Sequence, residues 1–293
     1  MTPHWTALLT VAASFVPLAA LDAPQAERLL SRRYDEGERV QYVMKGQNDG
    51  STYEVRITAT TKKAGNGRFV EEFAWSHMVA DGAPRALAAT SQAFRLAVTL
   101  GGGAPFDIPN LSKAPGLIGP VTDLMTFYSD LFLAMHQGAL RNRGDHLYFP
   151  SPTTASWADG TTVVLGEDHI DFDITLTTVD TASDVATLLI KHVPPPAPRI
   201  RLPAEWMRAR VAETPNNWVQ VRKTATGFAA SVGKETFDVT LNVDISNGKI
   251  LSARMENPVT KVTRACSDDA LTQCGDAQAT PTLRRIELSL LRE

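Results

Sequence analysis

The sequence predicts a mainly β protein, a large curved antiparallel sheet with one amphipathic helix packed on its concave face. Three observations support this class. Most of the chain consists of strand-length runs in which apolar and polar residues alternate, the period of a half-buried strand. Turn sequences such as Asn247-Gly248 and Gly65-Asn66-Gly67 separate these runs, as in hairpins. One segment, residues 120–137, carries a strong helical pattern.

Strand patterns dominate the first hundred residues, after a short stretch with helical spacing at residues 23–33. The clearest alternation comes last, where Phe94, Leu96, Val98 and Leu100 point to one face. We expect a β-meander here. Its strands fall at residues 38–45, 52–62, 67–79 and 85–100.

A loop rich in glycine and proline, residues 101–119, leads from this meander into the helix. Pro120 suits the first position of a helix, because its missing N–H would be unpaired there anyway. Apolar side chains cover about half of the circumference over residues 120–137, and Asp123 falls on the polar side. The apolar face consists of Val121, Leu124, Met125, Tyr128, Leu131, Phe132 and Met135. Such a helix needs a cover, and one face of the sheet is the expected one.

Strand patterns resume after the helix. They fall at residues 145–149, 161–165, 169–178, 185–192, 218–223, 227–232, 236–245, 249–256, 259–265 and 283–291. Between them, residues 193–203 form a proline-rich extended connector, and residues 204–212 suit a short helix. We therefore expect a single antiparallel β domain over residues 21–293. The alternative is a division into two β domains near residues 101–119.

The first twenty residues differ from the rest of the chain. Residues 5–20 read WTALLTVAASFVPLAA and contain no charged side chain. This run is short for a membrane span, which needs about 20 apolar residues, and it ends in small residues, as a signal-peptide core does. Residues 1–20 therefore predict a signal peptide, although their first five positions lack Lys and Arg; the alternative is a buried helix or an uncleaved anchor. We expect a periplasmic or secreted protein without a transmembrane span.

Two cysteines, Cys266 and Cys274, support export. In an oxidising compartment such a nearby pair is most simply a disulfide. Closing a loop of about nine residues should stabilise the fold by roughly 2.5 kcal/mol in the chain-entropy model. A metal site is the weaker interpretation, because neither a histidine nor a C-x-x-C spacing accompanies the pair.

Charge and motifs argue against several classes of function. The formal net charge is −3 and the sequence pI is near 6.1, so no basic excess is available to neutralise the phosphates of a nucleic acid. The chain lacks the G-x-S-x-G and H-E-x-x-H patterns of common hydrolases. Residues 228–235, FAASVGKE, depart from a phosphate-binding loop at both ends. We therefore name no catalytic residue and no cofactor.

One polar cluster has the residue types of a metal site. Residues 168–173 read DHIDFD, and on a strand His169, Asp171 and Asp173 would share one face. The simpler interpretation is that these three side chains form the solvent-exposed face of a half-buried strand, since the residues between them are apolar. Glu71 and Glu72, being adjacent, would face opposite sides of a strand and so do not form a carboxylate pair. We predict no metal site.

The apolar face of the helix is the remaining candidate site. Met125, Tyr128, Phe132 and Met135 are large, adaptable side chains of the kind that contact ligands. The alternative is that they belong to a solid core. A connected apolar cavity of roughly 300 Å³ or more beneath them would favour a ligand.

The order of elements resembles that of a group of exported bacterial proteins. A signal peptide and a short helix precede Tyr34-Asp35-Glu36-Gly37-Glu38 and Tyr42, which open a long meander with a helix-bearing interruption. In this order the chain is similar to the half-barrel proteins of the bacterial envelope, of which the LolA-type lipoprotein carriers are the best known. The resemblance implies an open half-barrel that holds acyl chains on a concave, helix-lidded face.

Three classes of function follow from these observations. The first is an exported envelope protein that binds or carries a hydrophobic ligand, such as an acyl chain, a lipid or a lipoprotein. The second is a structural or protein-interaction β protein of the periplasm or cell surface without a small-molecule ligand. An enzyme, for example a hydrolase, ranks last because no sequence motif indicates a catalytic site.

Overall fold

The predicted fold class is confirmed. In the computed structural model the described residues are 30, 32–48, 50–64, 68–99, 110–125, 140–149, 157–158, 162–167, 171–193, 202–236 and 238–291. Within these ranges fifteen strands form one antiparallel sheet that is not closed into a barrel. The predicted signal peptide, residues 1–20, and most of the helix predicted at residues 23–33 lie outside them.

The elements follow one another mainly as hairpins. The first eight strands are β1 (Arg39–Asn48), β2 (Ser51–Lys63), β3 (Phe69–Ala80), β4 (Ala83–Arg85), β5 (Leu96–Thr99), β6 (His146–Phe149), β7 (Trp157–Ala158) and β8 (Thr162–Glu167). The remaining strands are β9 (Asp171–Asp180), β10 (Val185–Val193), β11 (Trp218–Thr224), β12 (Gly227–Glu235), β13 (Asp238–Asp244), β14 (Ile250–Cys266) and β15 (Gln278–Leu290). The helices are α1 (Ala89–Ala93), residues 118–125, here called α2, and the 3-10 turns Leu111–Lys113 and Glu205–Arg208.

The sheet branches along its longest strand, β14. From one edge the order is β4-β3-β2-β1-β15-β14, and β5 also pairs with β3. The first part of β14, residues 250–256, pairs with β13, which continues through β10 and β9 to β6. The second part, residues 259–266, pairs with β12, which continues through β11 and β8 to β7. Beyond β14 the sheet therefore divides into two wings. The first wing consists of β13, β10, β9 and β6, and the second wing consists of β12, β11, β8 and β7.

The two strands predicted at residues 249–256 and 259–265 are one continuous strand, β14. Asn257 and Pro258 look like a break in the sequence, but they mark the point where β14 changes partners. Pairing with β13 reaches Glu256, and pairing with β12 begins at Val259. A proline here removes no hydrogen bond to either of those strands, which is why the strand can pass through it.

The strand predicted at residues 85–100 is wrong over its first part. Residues 89–93 form α1, and β5 begins only at Leu96. Alanine is frequent in residues 86–93 and is the best helix former, and the alternation of buried side chains begins only afterwards. Leu96 and Val98 are buried, as predicted. The helix predicted at residues 204–212 is limited to the 3-10 turn Glu205–Arg208.

The main hydrophobic core lies on the concave side of the sheet. It joins Ile57 and Phe73 from one end of the sheet to Ile174 and Leu188 from the other, and Leu124 of α2 belongs to the same cluster. Since strands far apart in the sheet contribute to one core, the sheet curves around it, and α2 packs on the concave side. Residues on both sides of the predicted boundary at 101–119 belong to this cluster, and the domain division itself stays a prediction.

A smaller core lies in the second wing. Met207, Val219 and Val232 are buried there with Leu271. Beside it, Cys266 and Cys274 form the predicted disulfide, with their Cα atoms 4.0 Å apart and a sequence separation of 8. The disulfide closes the turn that follows β14.

Candidate functional site at the seam between helix α2 and the sheet

Helix α2 contacts the sheet through its apolar face. Leu117, just before the helix, is buried with Val121 and Leu124, and Met125 is partly buried against the main core. Met125 is the only predicted ligand-binding residue that the structure describes. The others, Tyr128, Phe132 and Met135, lie outside the described residues. Ligand contact by these four side chains stays a prediction.

Asp123 departs from the amphipathic pattern. The pattern placed it on the polar side of the helix, but its side chain is only 9% exposed. Its Oδ1 accepts hydrogen bonds from Arg284, one of them from Nε at 3.0 Å, and its Oδ2 accepts one from the Tyr53 hydroxyl at 2.8 Å. The amphipathic pattern of a helix assigns every carboxylate to the solvent-exposed side. A carboxylate can nevertheless be buried when a cation and a hydrogen-bond donor satisfy its oxygens.

These three side chains join three elements of the fold. Asp123 comes from α2, Tyr53 from β2 and Arg284 from the last strand, β15. We call them the polar anchor. Removing one partner of a buried ion pair typically costs about 3–5 kcal/mol, because the other charge is left buried and unpaired. The polar anchor therefore favours one position of α2 on the sheet.

The ionisation states within the polar anchor follow from burial and charge. Burial lowers the pKa of the Arg284 guanidinium, but the carboxylates of Asp123 and Glu235 raise it by more, so that the pKa ends above its usual value. Burial, and then the charge of Asp123, raises the pKa of the Tyr53 hydroxyl well above its usual value. At neutral pH the group therefore contains a guanidinium cation and a neutral phenol that donates its proton.

Gly46 makes room for the Tyr53 ring. The two residues face each other on β1 and β2. A Cβ at position 46 would lie 2.1 Å from the ring, so the ring covers the glycine directly. An aromatic residue opposite a strand glycine covers the exposed backbone in this way. Any side chain at position 46 would move the Tyr53 hydroxyl relative to Asp123.

A second group of buried polar side chains lies where the sheet branches. Asn217 Nδ2 donates to the backbone oxygen of Glu235 at 2.8 Å, and the backbone N–H of Glu235 donates to Asn217 Oδ1 at 2.9 Å. Asn257 Nδ2 donates to Glu235 Oε2 at 3.2 Å. Asn257 lies opposite Arg284 where β14 pairs with β15, so this group adjoins the polar anchor.

The interior beside Leu124 is nearly filled. It contains a cavity of about 10 Å³, the space of one water molecule. The lining mixes apolar and charged side chains: Arg32, Tyr42, Ile57, Glu71, Phe73, Leu124, Ile250 and Leu288. This space is far below the roughly 300 Å³ at which small-molecule sites begin. In the part of the seam that the structure describes, the concave side is packed.

An ion-pair cluster lies at the N-terminal end of the described chain. The Arg32 side chain, 4% exposed, places Nη2 at 2.6 Å from Glu38 Oε2, and Lys249 Nζ lies 2.5 Å from Glu38 Oε1. Burial raises the pKa of Glu38, but the hydrogen bonds from Lys249 and Arg32 lower it by more, so the net shift in pKa is downward. The cluster ties the segment before β1 to the turn between β13 and β14.

The polar residues at positions 168–173, which have the residue types of a metal site, are divided between ordinary cross-strand pairs. His169 lies outside the described residues. Asp173 Oδ1 lies 2.6 Å from His146 Nε2, and Asp171 accepts a hydrogen bond from the Tyr148 hydroxyl. Within the described ranges no group of three or more His, Cys, Asp or Glu side chains has the arrangement of a metal site. No helix in those ranges has the length and apolarity needed to cross a membrane.

Comparisons with known proteins name no family for this chain. No protein-family model matches it, and no curated protein matches it. One solved structure that is similar, titled "Crystal structure of MucB in complex with MucA(peri)", is 13% identical over 91% of this chain and 90% of that chain, with a TM-score of 0.20. A TM-score this low supports no inference about the fold or the function of this chain.

Arg284 and Tyr53 were not predicted as site residues, although a signal for both is present in the sequence. Arg284 shares its strand face with Ile286 and Leu288, which are buried, and Tyr53 shares its face with Val55. An arginine on the buried face of a strand requires an acidic partner. The partner, Asp123, is distant in sequence, so alternation alone could not identify it.

Proposed function

We propose that the protein is an exported, non-catalytic binding protein of the cell envelope that acts through contact with another protein. The observation that carries this proposal is the close packing of the part of the concave side that the structure describes. Beside Leu124 only about 10 Å³ is free, and the polar anchor holds α2 in place above it. Where the concave side is packed in this way, the outer face of the sheet is the surface left for contact with another protein.

Export is supported by two independent features. Residues 1–20 have the apolar run and the small terminal residues of a signal peptide. The disulfide between Cys266 and Cys274 requires an oxidising compartment to persist. A periplasmic or secreted location fits both features.

The second candidate function is the binding of a hydrophobic ligand, such as an acyl chain, a lipid or a lipoprotein. The observation in its favour is Met125, which is only partly buried although it lies on the apolar face of α2. Together with Tyr128, Phe132 and Met135 it would form an adaptable apolar surface. This candidate requires space that the described part of the seam does not contain.

Cross-linking in intact cells tests the first candidate. A short amine-reactive reagent is applied to cells that secrete the full-length chain, and the cross-linked products are separated and identified by mass spectrometry. We expect one dominant product that contains this protein and one other exported protein. A protein that is recovered entirely as the uncross-linked monomer, while a known envelope complex in the same cells is captured, would contradict the proposal.

A further inference from the structure

A groove of about 400 Å³ crosses the outer face of the sheet, opposite the main core. Side chains of β1, β2 and β3 line it, together with Arg95 just before β5. Between the charged groups the lining side chains are small: Thr58, Thr60, Ala74 and Ser76. We call this the outer groove. Small side chains on neighbouring strands leave a depression into which an extended chain fits.

The outer groove is basic, although the protein as a whole is acidic. Arg39, Lys62 and Arg95 line it and are exposed. Its one carboxylate, Glu72, lies 2.8 Å from Lys62 Nζ and 4.0 Å from Arg95 Nε. Three cations against one carboxylate leave a local charge of +2, whereas the whole chain has a net charge of −3. The groove therefore attracts anionic groups.

We propose that the outer groove binds an acidic, extended segment of the partner protein. The inference rests on the proposed function and names the chemistry of the partner. Arg39 on β1 lies opposite Thr60 of β2, Thr60 lies opposite Glu72 of β3, and Arg95 reaches Glu72 from the far side of β3. An extended segment that crosses β2 and β3 can therefore place carboxylates near Arg39 and Arg95, while the threonine hydroxyls hydrogen-bond to its backbone oxygens.

The lining of the groove favours a peptide over a membrane surface. A peripheral membrane site combines cations with apolar side chains that enter the bilayer. The exposed large hydrophobic residues in the described ranges are Tyr148, Val193 and Leu283. None of them lines the outer groove. Its hydroxyl groups and its concave shape suit hydrogen bonding to a polypeptide.

Fluorescence anisotropy of the mature protein tests this inference. The probes are a labelled short peptide of alternating Glu and Ser, a matched peptide of alternating Gln and Ser, and vesicles of phosphatidylcholine and phosphatidylglycerol. We expect saturable binding of the Glu peptide that weakens as salt is added, because the groove charges are exposed. The variant Arg39→Gln/Arg95→Gln should bind it about tenfold more weakly.

A matched variant separates the groove from general attraction. Lys45→Gln/Arg254→Gln makes the same change in net charge outside the groove and should bind the Glu peptide as the unaltered protein does. Equal weakening in both variants, equal binding of the Gln peptide, or binding of the vesicles in place of the peptide each overturns the inference. Such a failure leaves the cross-linking test of the proposed function unaffected, because that test does not depend on this groove.

Discussion

Arg284 and Asp123 are 161 positions apart in the sequence, yet Arg284 Nε donates to Asp123 Oδ1 at 3.0 Å beneath α2. One residue lies on a helix in the middle of the chain and the other on the last strand. A contact of this sequence separation forms only after β15 has joined the sheet. The correct docking of α2 therefore depends on the C-terminal strand, and the polar anchor links the two.

Removal of one partner of the polar anchor should destabilise the protein strongly. Asp123→Asn removes the carboxylate that hydrogen-bonds to the buried Arg284 guanidinium, and we expect the free energy of unfolding to fall by about 3–5 kcal/mol. The double variant Asp123→Leu/Arg284→Met removes both charges and should recover most of that loss. Urea denaturation measures both values. A single variant within about 1 kcal/mol of the unaltered protein would show that the pair is not buried as described.

A side chain at position 46 should disturb the polar anchor indirectly. Gly46→Ala places a Cβ 2.1 Å from the Tyr53 ring, so the ring must move and its bond to Asp123 is lost or weakened. We expect a loss of about 1–3 kcal/mol in the free energy of unfolding. Gly119→Ala is the matched control, since nothing lies within 4 Å of a Cβ there. Equal stability of the two variants would contradict the close contact.

The Glu38 cluster should make stability depend on acid pH. The folded-state pKa of Glu38 is below its ordinary value of 4.5, so its contribution is complete above that pH and is lost as pH falls through the folded pKa. At neutral pH, Glu38→Gln should lower the free energy of unfolding by about 1–3 kcal/mol, because Arg32 loses its charged partner.

Urea titrations at a series of pH values measure this effect. The difference between the unaltered protein and Glu38→Gln should narrow below about pH 4.5. The control is Glu54→Gln, which removes an exposed pair with Lys45 at 3.2 Å and should change stability by at most about 1 kcal/mol. A Glu38→Gln effect that stays constant down to the lowest pH would show that this carboxylate is not the titrating group.

The disulfide should stabilise the second wing. Cys266→Ala/Cys274→Ala opens the short loop, and we expect a loss of roughly 2.5 kcal/mol in the chain-entropy model. Thermal unfolding of the variant should match that of the reduced, unaltered protein. Non-reducing peptide mapping supplies the chemical check, and two free thiols in exported protein would refute the pairing.

Local signals in the sequence predict much of this fold. The Asn247-Gly248 turn lies between β13 and β14, where Gly248 adopts a φ of +72° that glycine tolerates. The alternation of Leu96 and Val98 is also seen in their burial. The branch of the sheet was not predicted. It depends on which distant strands pair with each part of β14, and Pro258 resembles a strand end in the sequence.

The candidate site was predicted less completely, for a physical reason. Met125 is partly buried against the core as part of an apolar helix face, which periodicity identifies. The inward position of Asp123 depends on Arg284 and Tyr53, which periodicity along the helix does not include. Charged residues are buried only in pairs, and pairs between distant segments have no local signature.

Native mass spectrometry of the protein isolated from its own envelope distinguishes a packed seam beneath α2 from one that holds a lipid. We expect a mature chain beginning near Leu21, with the Cys266–Cys274 disulfide and no additional mass in the range of a lipid. A lipid-sized mass bound in stoichiometric amount, and absent from a Met125→Glu variant that remains folded, would contradict this expectation. That result would establish the seam beneath α2 as a site for a hydrophobic ligand.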